Sequence, residues 1–458
     1  MNHNDDKMKM MAELPVRNVL VKMSLPMMIS FFIQALYNIV DSMFVARISE
    51  NALTAVSLAF PMQQIITALA IGSATGVSAV WSRKMGMNDK EGASAVIQTM
   101  TGLCLIFSVF FLLLGFFAAG PLYRFQTNVE EIAIYGTTYL SINWIFAFGS
   151  IFSKYYERLL VSSGRATLSM LSMAAGAVFN LIFDPLLIFG IGFFPELGIA
   201  GAAIATIGGQ IFSMIIAFLL NLRYNHPVRR DLFRLGFKMK AAADIFRVGL
   251  PSIITMGLSS VVSFFINQIL LTYSTTATAV YGIWIKLQNF CYMPVFGLNN
   301  GVVPVLSYNY GIGHKDRVKE TIRLSVGAGA VLMLFLMVVL ELIPNVILTL
   351  FSASDYMRSV GIICLRICIL TLPLGAVTML RSTAMQALDH ARYTLFLNLM
   401  RQAVLLVGSF ALISAIFHDQ DLIWFAVLFT EAVTFIVCCF LYRKFQQDLG
   451  LTSYQKKD

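Results

Sequence analysis

The chain has 458 residues, of which 58% are hydrophobic and 12% are charged, and its mean hydropathy is +0.76. A soluble core of this length could not bury so much apolar surface, so the composition excludes an ordinary soluble domain and indicates a polytopic membrane protein. The net charge of +9 comes from short basic segments between apolar runs rather than from one basic face, which argues against nucleic acid as a partner.

Cysteine and histidine positions give no sign of a metal site or a disulfide framework. The six cysteines all lie within apolar runs, and the five histidines lie in the N-terminal tail or in loops. We therefore expect neither a structural metal nor a cofactor. Residues 1–18 are polar and lack the small-residue cleavage site of a signal peptide, so we expect the first apolar run to be a retained span.

Twelve apolar stretches are long enough to cross a bilayer as helices. They cover residues 19–46, 53–81, 94–119, 131–160, 166–190, 198–221, 247–273, 278–308, 321–346, 358–385, 393–416 and 421–443. One long basic connection, residues 222–246, divides them into two sets of six. The sequence therefore predicts an all-α polytopic membrane protein with an N-terminal lobe (19–221), a C-terminal lobe (247–443) and two tails (1–18 and 444–458).

Basic residues are concentrated in the connections after spans 2, 6 and 8 and in the C-terminal tail. Acidic residues predominate in the connections on the opposite side. Because loops rich in Lys and Arg stay on the cytoplasmic side of a membrane, we expect both termini and the basic linker to be cytoplasmic.

The two halves are related by an offset of 225 positions. Residues matched by this offset include Pro26 and Pro251, Gly76 and Gly301, Gly86 and Gly311, and Lys90 and Lys315. Since each unit has an even number of spans, both insert the same way up, which predicts two lobes related by a pseudo-two-fold axis along the membrane normal. In the later spans, matching Arg165 with Arg392 places Ala411 opposite Asp184.

An amide and a carboxylate, Asn180 and Asp184, lie four positions apart within one apolar span, and therefore on one face of a helix. A carboxylate inside a span costs roughly 2.5–3.5 kcal/mol on insertion scales, so it faces a partner, a cavity or an ion rather than lipid. The simpler alternative is that Asp184 only hydrogen-bonds a neighbouring helix and holds the two together.

The first span carries a polar stripe that could line a substrate cavity. Its members follow helical spacing and are Gln34, Asn38 and Asp41, with Tyr37 beside them. Pro26 precedes the stripe in the same span, where its missing N–H permits a bend. We expect this helix to flex at Pro26, although an ordinary kink would leave the same sequence signal.

The predicted topology places five polar residues in one layer of the first lobe. At 1.5 Å per residue, Asp41, Tyr139, Asp184 and Thr206 all lie roughly 9–12 Å below the outer boundary, with Asn180 one turn deeper. Two neighbouring carboxylates cannot both stay ionised cheaply, which makes a proton a natural ligand. Oxygens of Asn180 and Thr206 would complete a shell for Na⁺ equally well. The sequence therefore predicts a cation site for H⁺ or Na⁺.

The second lobe lacks this pattern. No acidic residue appears in spans 7, 8, 10 or 11. Its interior instead carries basic residues, namely Lys286, Arg366, Arg381 and Arg401. Glu341 and Glu431 lie in spans 9 and 12, where we expect both at the level of the lipid headgroups. We therefore expect the cation site to belong to the first lobe alone.

Several segments together resemble the multidrug and toxic compound extrusion (MATE) transporters. The first half contains SLPMM, VDSMFVA, NALTAVSLAFP, GSATGVSAVWSRKMG, FNLIFDPLLIFG and GIAGAAIAT. The second half contains NNGVVPVLSYNYG followed by a basic loop, which is similar to the DinF/MepA-like branch. The resemblance covers about residues 12–445.

This resemblance implies two V-shaped lobes around a central cavity, and exchange of H⁺ or Na⁺ for amphipathic, often cationic, organic compounds by alternating access. Site residues of the DinF-like branch match this chain at Asp41, Asn180, Asp184 and Thr206, with Tyr139 beside them and Pro26 at the bending position of the first helix. Acids that the NorM-like branch carries in helices 7 and 10 are missing, and Ser259 lies near the first of these positions. We expect a monomeric multidrug exporter in a bacterial-type plasma (inner) membrane that confers antibiotic resistance.

Two other classes of function remain. A flippase for a lipid-linked precursor shares this architecture and would need a strongly cationic cavity, for which the basic residues of the second half are candidates. An enzyme is disfavoured because the chain has no phosphate-binding glycine loop followed by Lys, no HExxH segment and no Ser/His pairing within the spans. The missing P-loop also argues against ATP-driven transport.

Overall fold

The computed structural model of the protein describes residues 5–350, 354–417 and 419–450, and within these ranges the chain is almost entirely helical and contains no strand. The helices of the first half are α1 (Asp5–Glu13), α2 (Val16–Ala46), α3 (Glu50–Gly86), α4 (Lys90–Phe117), α5 (Ala119–Gln126), α6 (Glu130–Ile145), α7 (Phe148–Ser162), α8 (Ala166–Phe189), α9 (Ile199–Tyr224) and α10 (His226–Arg229). Those of the second half are α11 (Met239–Leu271), α12 (Thr275–Ile312), α13 (Lys315–Leu342), α14 (Pro344–Leu350), α15 (Asp355–Ile369), α16 (Leu372–Ala387), α17 (Ala391–Leu399), α18 (Val407–Phe417) and α19 (Phe425–Asp448).

Each predicted span corresponds to one helix or to consecutive helices. In the described ranges, nine helical segments are long and apolar enough to cross a membrane, and the pair α15–α16, bent by 41°, makes ten. The fourth predicted span is divided between α6 and α7, each of which is short. The eighth, α12, is long enough but carries polar side chains such as Lys286 and Asn300 along its length. The prediction of an all-α polytopic membrane protein is confirmed.

The tails and the linker are more helical than a plain connection. Helix α1 occupies much of the predicted N-terminal tail, while residues 1–4 and 451–458 lie outside the described residues. Helix α11 begins at Met239, inside the predicted linker of 222–246. Asp231 of the linker accepts hydrogen bonds from Ser94 Oγ at 2.6 Å and from Gln98 Nε2 at 3.3 Å. The linker is therefore packed against α4.

Matching helix starts repeat in the two halves. Ser49 precedes α3, and its hydroxyl accepts a hydrogen bond from Ala52 N at 3.0 Å. Ser274 precedes α12, and its hydroxyl accepts from Ala277 N, also at 3.0 Å. Each serine satisfies one of the backbone N–H groups that a helix start leaves unpaired. The offset of 225 therefore relates local structure as well as sequence.

The two halves also meet through related contacts. Helix α2 packs on α12, and α3 packs on both α11 and α12. A Cβ atom on Gly86 would strike the carbonyl oxygen of Tyr308, and one on Gly311 would strike that of Arg83. The offset of 225 exchanges these two contacts, which places them around the pseudo-two-fold axis. Only glycine allows backbones to approach this closely.

The structure corrects one predicted equivalence. The turns before α8 and α17 contain the residues with left-handed backbone, Gly164 (φ 80°) and Asp389 (φ 72°), which are related by the same offset of 225. The match of Arg165 with Arg392 was therefore displaced by two positions. By the offset of 225, the residue opposite Asp184 is Ser409 rather than Ala411. A π-helix at Met400–Leu406 also changes the register of this span.

Candidate functional site

The carboxyl groups of Asp41 and Asp184 lie together between α2 and α8. Asp184 is fully buried and Asp41 is half-buried, and the two groups face each other closely enough to share a hydrogen. In each residue, Oδ1 is buried and accepts no hydrogen bond from the described residues. Two carboxyl groups in this relation require a proton or another cation between them.

Asn180 connects this pair to α9. With its amide oriented so that donors meet acceptors, Asn180 Nδ2 donates to Asp184 Oδ2 at 3.1 Å, and Oδ1 accepts from the Thr206 backbone N–H at 3.2 Å. The hydroxyl of Thr206 is 3.5 Å from the amide nitrogen in the opposite orientation, which is a weak contact. Thr206 therefore reaches the site through its backbone more than through its side chain.

Tyr139 of α6 forms another side of the site. It is 3% exposed, close to both Asp41 and Asp184, and its hydroxyl interacts with the side chain of Gln63 on α3. Sequence reasoning missed Gln63, although two adjacent amides, Gln63 and Gln64, interrupt the apolar run of α3. The predicted layer is therefore formed by four helices of the first half, with α3 as an unpredicted fifth.

Gln34 of the polar stripe on α2 and the neighbouring Tyr37 line a cavity next to the acids, and Asn38 does not. Gln34 and Tyr37 border this cavity together with Asn180 and Thr206, and the Tyr37 hydroxyl interacts with Gln34. Asn38 is exposed and borders neither of the two cavities described for the first half. The predicted stripe is therefore divided between the lining of this cavity and an exposed face.

Helix α2 continues unbroken across Pro26. The carbonyl oxygen of Pro26 accepts a hydrogen bond from Ser30 Oγ at 2.9 Å. The same arrangement recurs in α11, where Thr255 Oγ1 donates to the carbonyl of Pro251 at 2.6 Å. A bend at Pro26 therefore stays a prediction about another conformation.

A buried ion pair in α7 escaped the sequence reasoning. Glu157 is 5% exposed, and its Oε1 accepts from Ser153 Oγ at 2.9 Å and from Ser213 Oγ at 2.8 Å. Its Oε2 lies 3.2 Å from Lys154 Nζ. Both charged residues border the cavity that contains Gln34. The signal was the charged run KYYER inside the fourth predicted span.

The second half also contains a buried charge pair. Arg401 Nε donates to Glu431 Oε1 at 2.7 Å, and Glu431 is 4% exposed. Glu431 is therefore paired with a neighbouring helical span rather than with water, and its expected depth at headgroup level stays a prediction. Arg381 is also engaged within the second half, since its guanidinium lies 5.1 Å from the centre of the Tyr442 ring.

Metal-ligating side chains do not cluster in the part of the chain that the structure describes: no group of three or more His, Cys, Asp or Glu could hold a metal ion there. The acid pair contributes only two such side chains.

Comparison with known proteins relates both halves of the chain to one protein family. The MatE family profile matches twice, at residues 26–186 and 251–410. A multidrug export protein MepA from Staphylococcus haemolyticus is 25% identical and aligns over 95% of this chain and 94% of its own length. An FAD transporter from Shewanella oneidensis is 26% identical, over 96% of this chain and 97% of its own.

Solved structures agree with this assignment. A multidrug resistance MATE transporter in an outward-facing conformation superposes with a TM-score of 0.90 at 26% identity, over 99% of this chain and 100% of its own. A MOP superfamily transporter from Pyrococcus furiosus gives a TM-score of 0.87 at 25% identity, over 96% of this chain and 98% of its own. Since the profile covers both halves, the chain belongs to the MatE family, whose members are transporters and not enzymes.

Proposed function

We propose that the protein is a cation-coupled antiporter that exports amphipathic, often cationic, organic compounds by alternating access. The observation that carries this proposal is the contact between the Asp41 and Asp184 carboxyl groups, which are buried beside a polar cavity. Relatives named multidrug export protein support the substrate class. The coupling ion, H⁺ or Na⁺, enters from the outside and neutralises the acid pair.

The hydrogen bonding available to Asn180 favours a proton as that ion. When its donors are matched with acceptors, its amide nitrogen faces Asp184, whereas its oxygen accepts from the Thr206 backbone. An N–H donor stabilises a carboxylate that shares a proton with its neighbour, but it contributes nothing to a shell of oxygen ligands around Na⁺. Coupling to Na⁺ would require the amide to turn over.

Protonation of the acid pair would change the packing of α2, because Asp41 is its contribution to the site. The neutral pair no longer attracts a second cation into the adjoining cavity. A bend of α2 near Pro26 would then reshape the wall formed by Gln34 and Tyr37. A cationic substrate would leave toward the outside as the proton binds.

The test uses proteoliposomes and two substitutions, Asp41→Asn and Asp184→Asn. Each should abolish ΔpH-driven efflux of a cationic dye and the resistance of expressing cells to it, while the amount of protein in the membrane is unchanged. Asp316→Asn is the matched control, because Asp316 is exposed at the start of α13. Near-normal efflux by both site variants would contradict a first-lobe site.

Imposed gradients separate the ions. Efflux should follow ΔpH and should be indifferent to ΔpNa at constant pH, if the proton is the coupling ion. The reverse dependence would assign Na⁺ to the site, and efflux indifferent to both gradients would reject antiport altogether.

Flipping of a lipid-linked precursor is the alternative function, and two contacts argue against it. It needs free cationic groups in the central cavity, and two of the four candidates in the second half are already engaged: Arg401 is paired with Glu431, and Arg381 lies over an aromatic ring. Because one relative is named an FAD transporter, anionic compounds should also be tested as substrates. Protection of cells from cationic dyes would favour drug export over flipping.

We also propose that this transporter is a monomer in a bacterial-type inner membrane, with both termini in the cytoplasm. The concentration of Lys and Arg in the connections at one end of the helices supports the cytoplasmic placement of the termini.

A further inference from the structure

A second cavity adjoins the one beside the acid pair and is lined by residues of the first half together with Asn300 of α12. The two cavities share Gln34, Lys154, Glu157 and Met173. The second cavity extends toward the turn between α7 and α8, where it is bordered by Arg158 from the last turns of α7 and by Ser169 from the first turn of α8. This is the end of the helices that carries the basic connections.

Arg158 is a buried cation that has no direct ion pair in the described part of the chain. It is 8% exposed, and its Nη2 donates to Thr75 Oγ1 at 3.3 Å. Among the described residues, its buried Nη1 has no hydrogen-bond partner, and no carboxylate oxygen forms an ion pair with the guanidinium. Glu157 pairs directly with Lys154 and acts on Arg158 only through its charge. A guanidinium has five N–H donors, so most of its capacity is unused.

Ser169 borders the same cavity and is also unsatisfied. Its side chain is fully buried, and Oγ has no hydrogen-bond partner in the described structure. Buried polar atoms are almost always paired, and unpaired ones mark a missing ligand, ion or water. A water could satisfy Ser169, but it would not neutralise the charge of Arg158.

The charges around the cavity define what would complete it. Lys154 and Glu157 neutralise one another, which leaves the single positive charge of Arg158. The fork of a guanidinium matches the two oxygens of a carboxylate or a phosphate. The apolar wall of the cavity contains Met27, Phe31 and Met173. An anionic group attached to an apolar body therefore fits both the charged and the apolar parts of the lining.

We propose that this cavity binds the carboxylate or phosphate group of an amphipathic substrate, with Arg158 and Ser169 as its hydrogen-bond donors. The transported compounds then include zwitterions and anions, and are not limited to cations. That the ligand is exported cargo rests on the function proposed above, whereas binding itself does not.

Equilibrium dialysis with purified protein in detergent tests the assignment through a matched series of naphthalene probes. The anionic probes are 1-naphthylacetate and 1-naphthyl phosphate, and the neutral and cationic ones are 1-naphthylacetamide and 1-naphthylmethylamine. Arg158→Met should weaken binding of at least one anionic probe tenfold or more. It should change binding of the neutral and the cationic probe by less than twofold. Ser169→Ala should weaken the same anionic probe about threefold. Arg229→Met, at an exposed position in α10, is the control and should change nothing.

Arg158→Lys covers the case in which the methionine variant does not fold. It keeps the charge but removes the fork, so its affinity for the anionic probes should fall between those of the native protein and background. Equal binding of charged and neutral probes by the native protein, or equal loss of all four in Arg158→Lys, would overturn the assignment.

Inorganic phosphate separates an amphipathic ligand from a small anion. It should compete at least tenfold more weakly than 1-naphthyl phosphate, because it makes no contact with the apolar wall. Equal competition would overturn the proposal of an amphipathic ligand. Dialysis needs no ion gradient, so its result is independent of antiport. Preferential binding of the anionic probes without ion-coupled efflux would refute antiport alone. Ion-coupled efflux without preferential binding of the anionic probes would refute the anion site alone.

Discussion

Arg83 of the first half and Asp389 of the second half form an ion pair, with Arg83 Nη1 3.4 Å from Asp389 Oδ2. Arg247 approaches the other oxygen, Oδ1, at 3.7 Å. The group lies at the end of α3, beside the contact between Gly86 and Tyr308. One carboxylate therefore helps to hold the two halves together at the end that we propose to be cytoplasmic.

Asp389→Asn should shift the protein toward a conformation that is open at this end. Asn tolerates the left-handed backbone of this position, so the substitution removes the charge and little else. A partly exposed ion pair contributes about 0.2–1 kcal/mol, which corresponds to a change of up to about fivefold in the conformational equilibrium. Spin labels at Lys90 and Lys315, both exposed, would report the open conformation as a larger population with a longer distance between the two labels.

Asn180 and Thr206 should differ in importance, although both were predicted as ligands. Asn180→Ala removes the donor to Asp184 Oδ2, and an unpaired buried polar group costs about 1–3 kcal/mol. We expect at least a fivefold loss of ion-driven efflux. Thr206→Val keeps the backbone N–H that Asn180 uses, and efflux should stay within about twofold of the native rate. A larger effect of Thr206→Val would indicate that its hydroxyl binds the ion.

Arg401 and Glu431 should behave as a unit in stability. Removing one member of a buried ion pair leaves an uncompensated charge and costs roughly 3–5 kcal/mol. Glu431→Gln alone should therefore lower the apparent melting temperature in detergent. The double variant Arg401→Met, Glu431→Leu should recover most of the loss. A double variant no more stable than Glu431→Gln would show that the pair does more than compensate charge.

Asp89, in the connection between α3 and α4, should stabilise its helix in a pH-dependent way. The hydrogen bond from Lys84 Nζ, and then that from Gly92 N, hold the pKa of the Asp89 carboxyl below its usual range. Because the folded pKa is the lower one, this stabilisation is present above the unfolded pKa of about 4 and is lost as the pH falls through the folded value.

Hydrogen exchange at the first turn of α4 measures this effect. Protection should fall on acidification in the native protein and should vary less with pH in Asp89→Asn, which keeps an N-cap oxygen but cannot be ionised. Asp89→Ala should lose protection at every pH, by about 0.5–2 kcal/mol. Equal pH dependence in the native and Asn proteins would assign the titration to another group.

The order of the spans follows directly from the sequence, because a bilayer demands long apolar runs and leaves few alternatives. The break between α6 and α7 and the 41° bend between α15 and α16 were not predicted. Both interrupt continuous apolar runs, in which hydropathy carries no information about backbone direction.

The acid site was predictable because charge inside a span is costly and helical depth can be counted. Asp41, Asp184 and Asn180 meet as their depths indicated. Which atom each residue presents could not be read in this way. The turned amide of Asn180, the contribution of Gln63 and the partner of Glu431 depend on helix rotation, which spacing within one span does not fix.

Gly86 and Gly311 each touch the backbone of the opposite repeat, and each needs the other copy to supply the far side of its contact. Repeated units of this kind are free to diverge where they act separately, and the acids kept in one half alone are an instance. Along the joined helices they are not free, because a side chain gained by either copy must be accommodated by the other. The two repeats can therefore differ in chemistry elsewhere, whereas at their common boundary each limits the side chains that the other can carry.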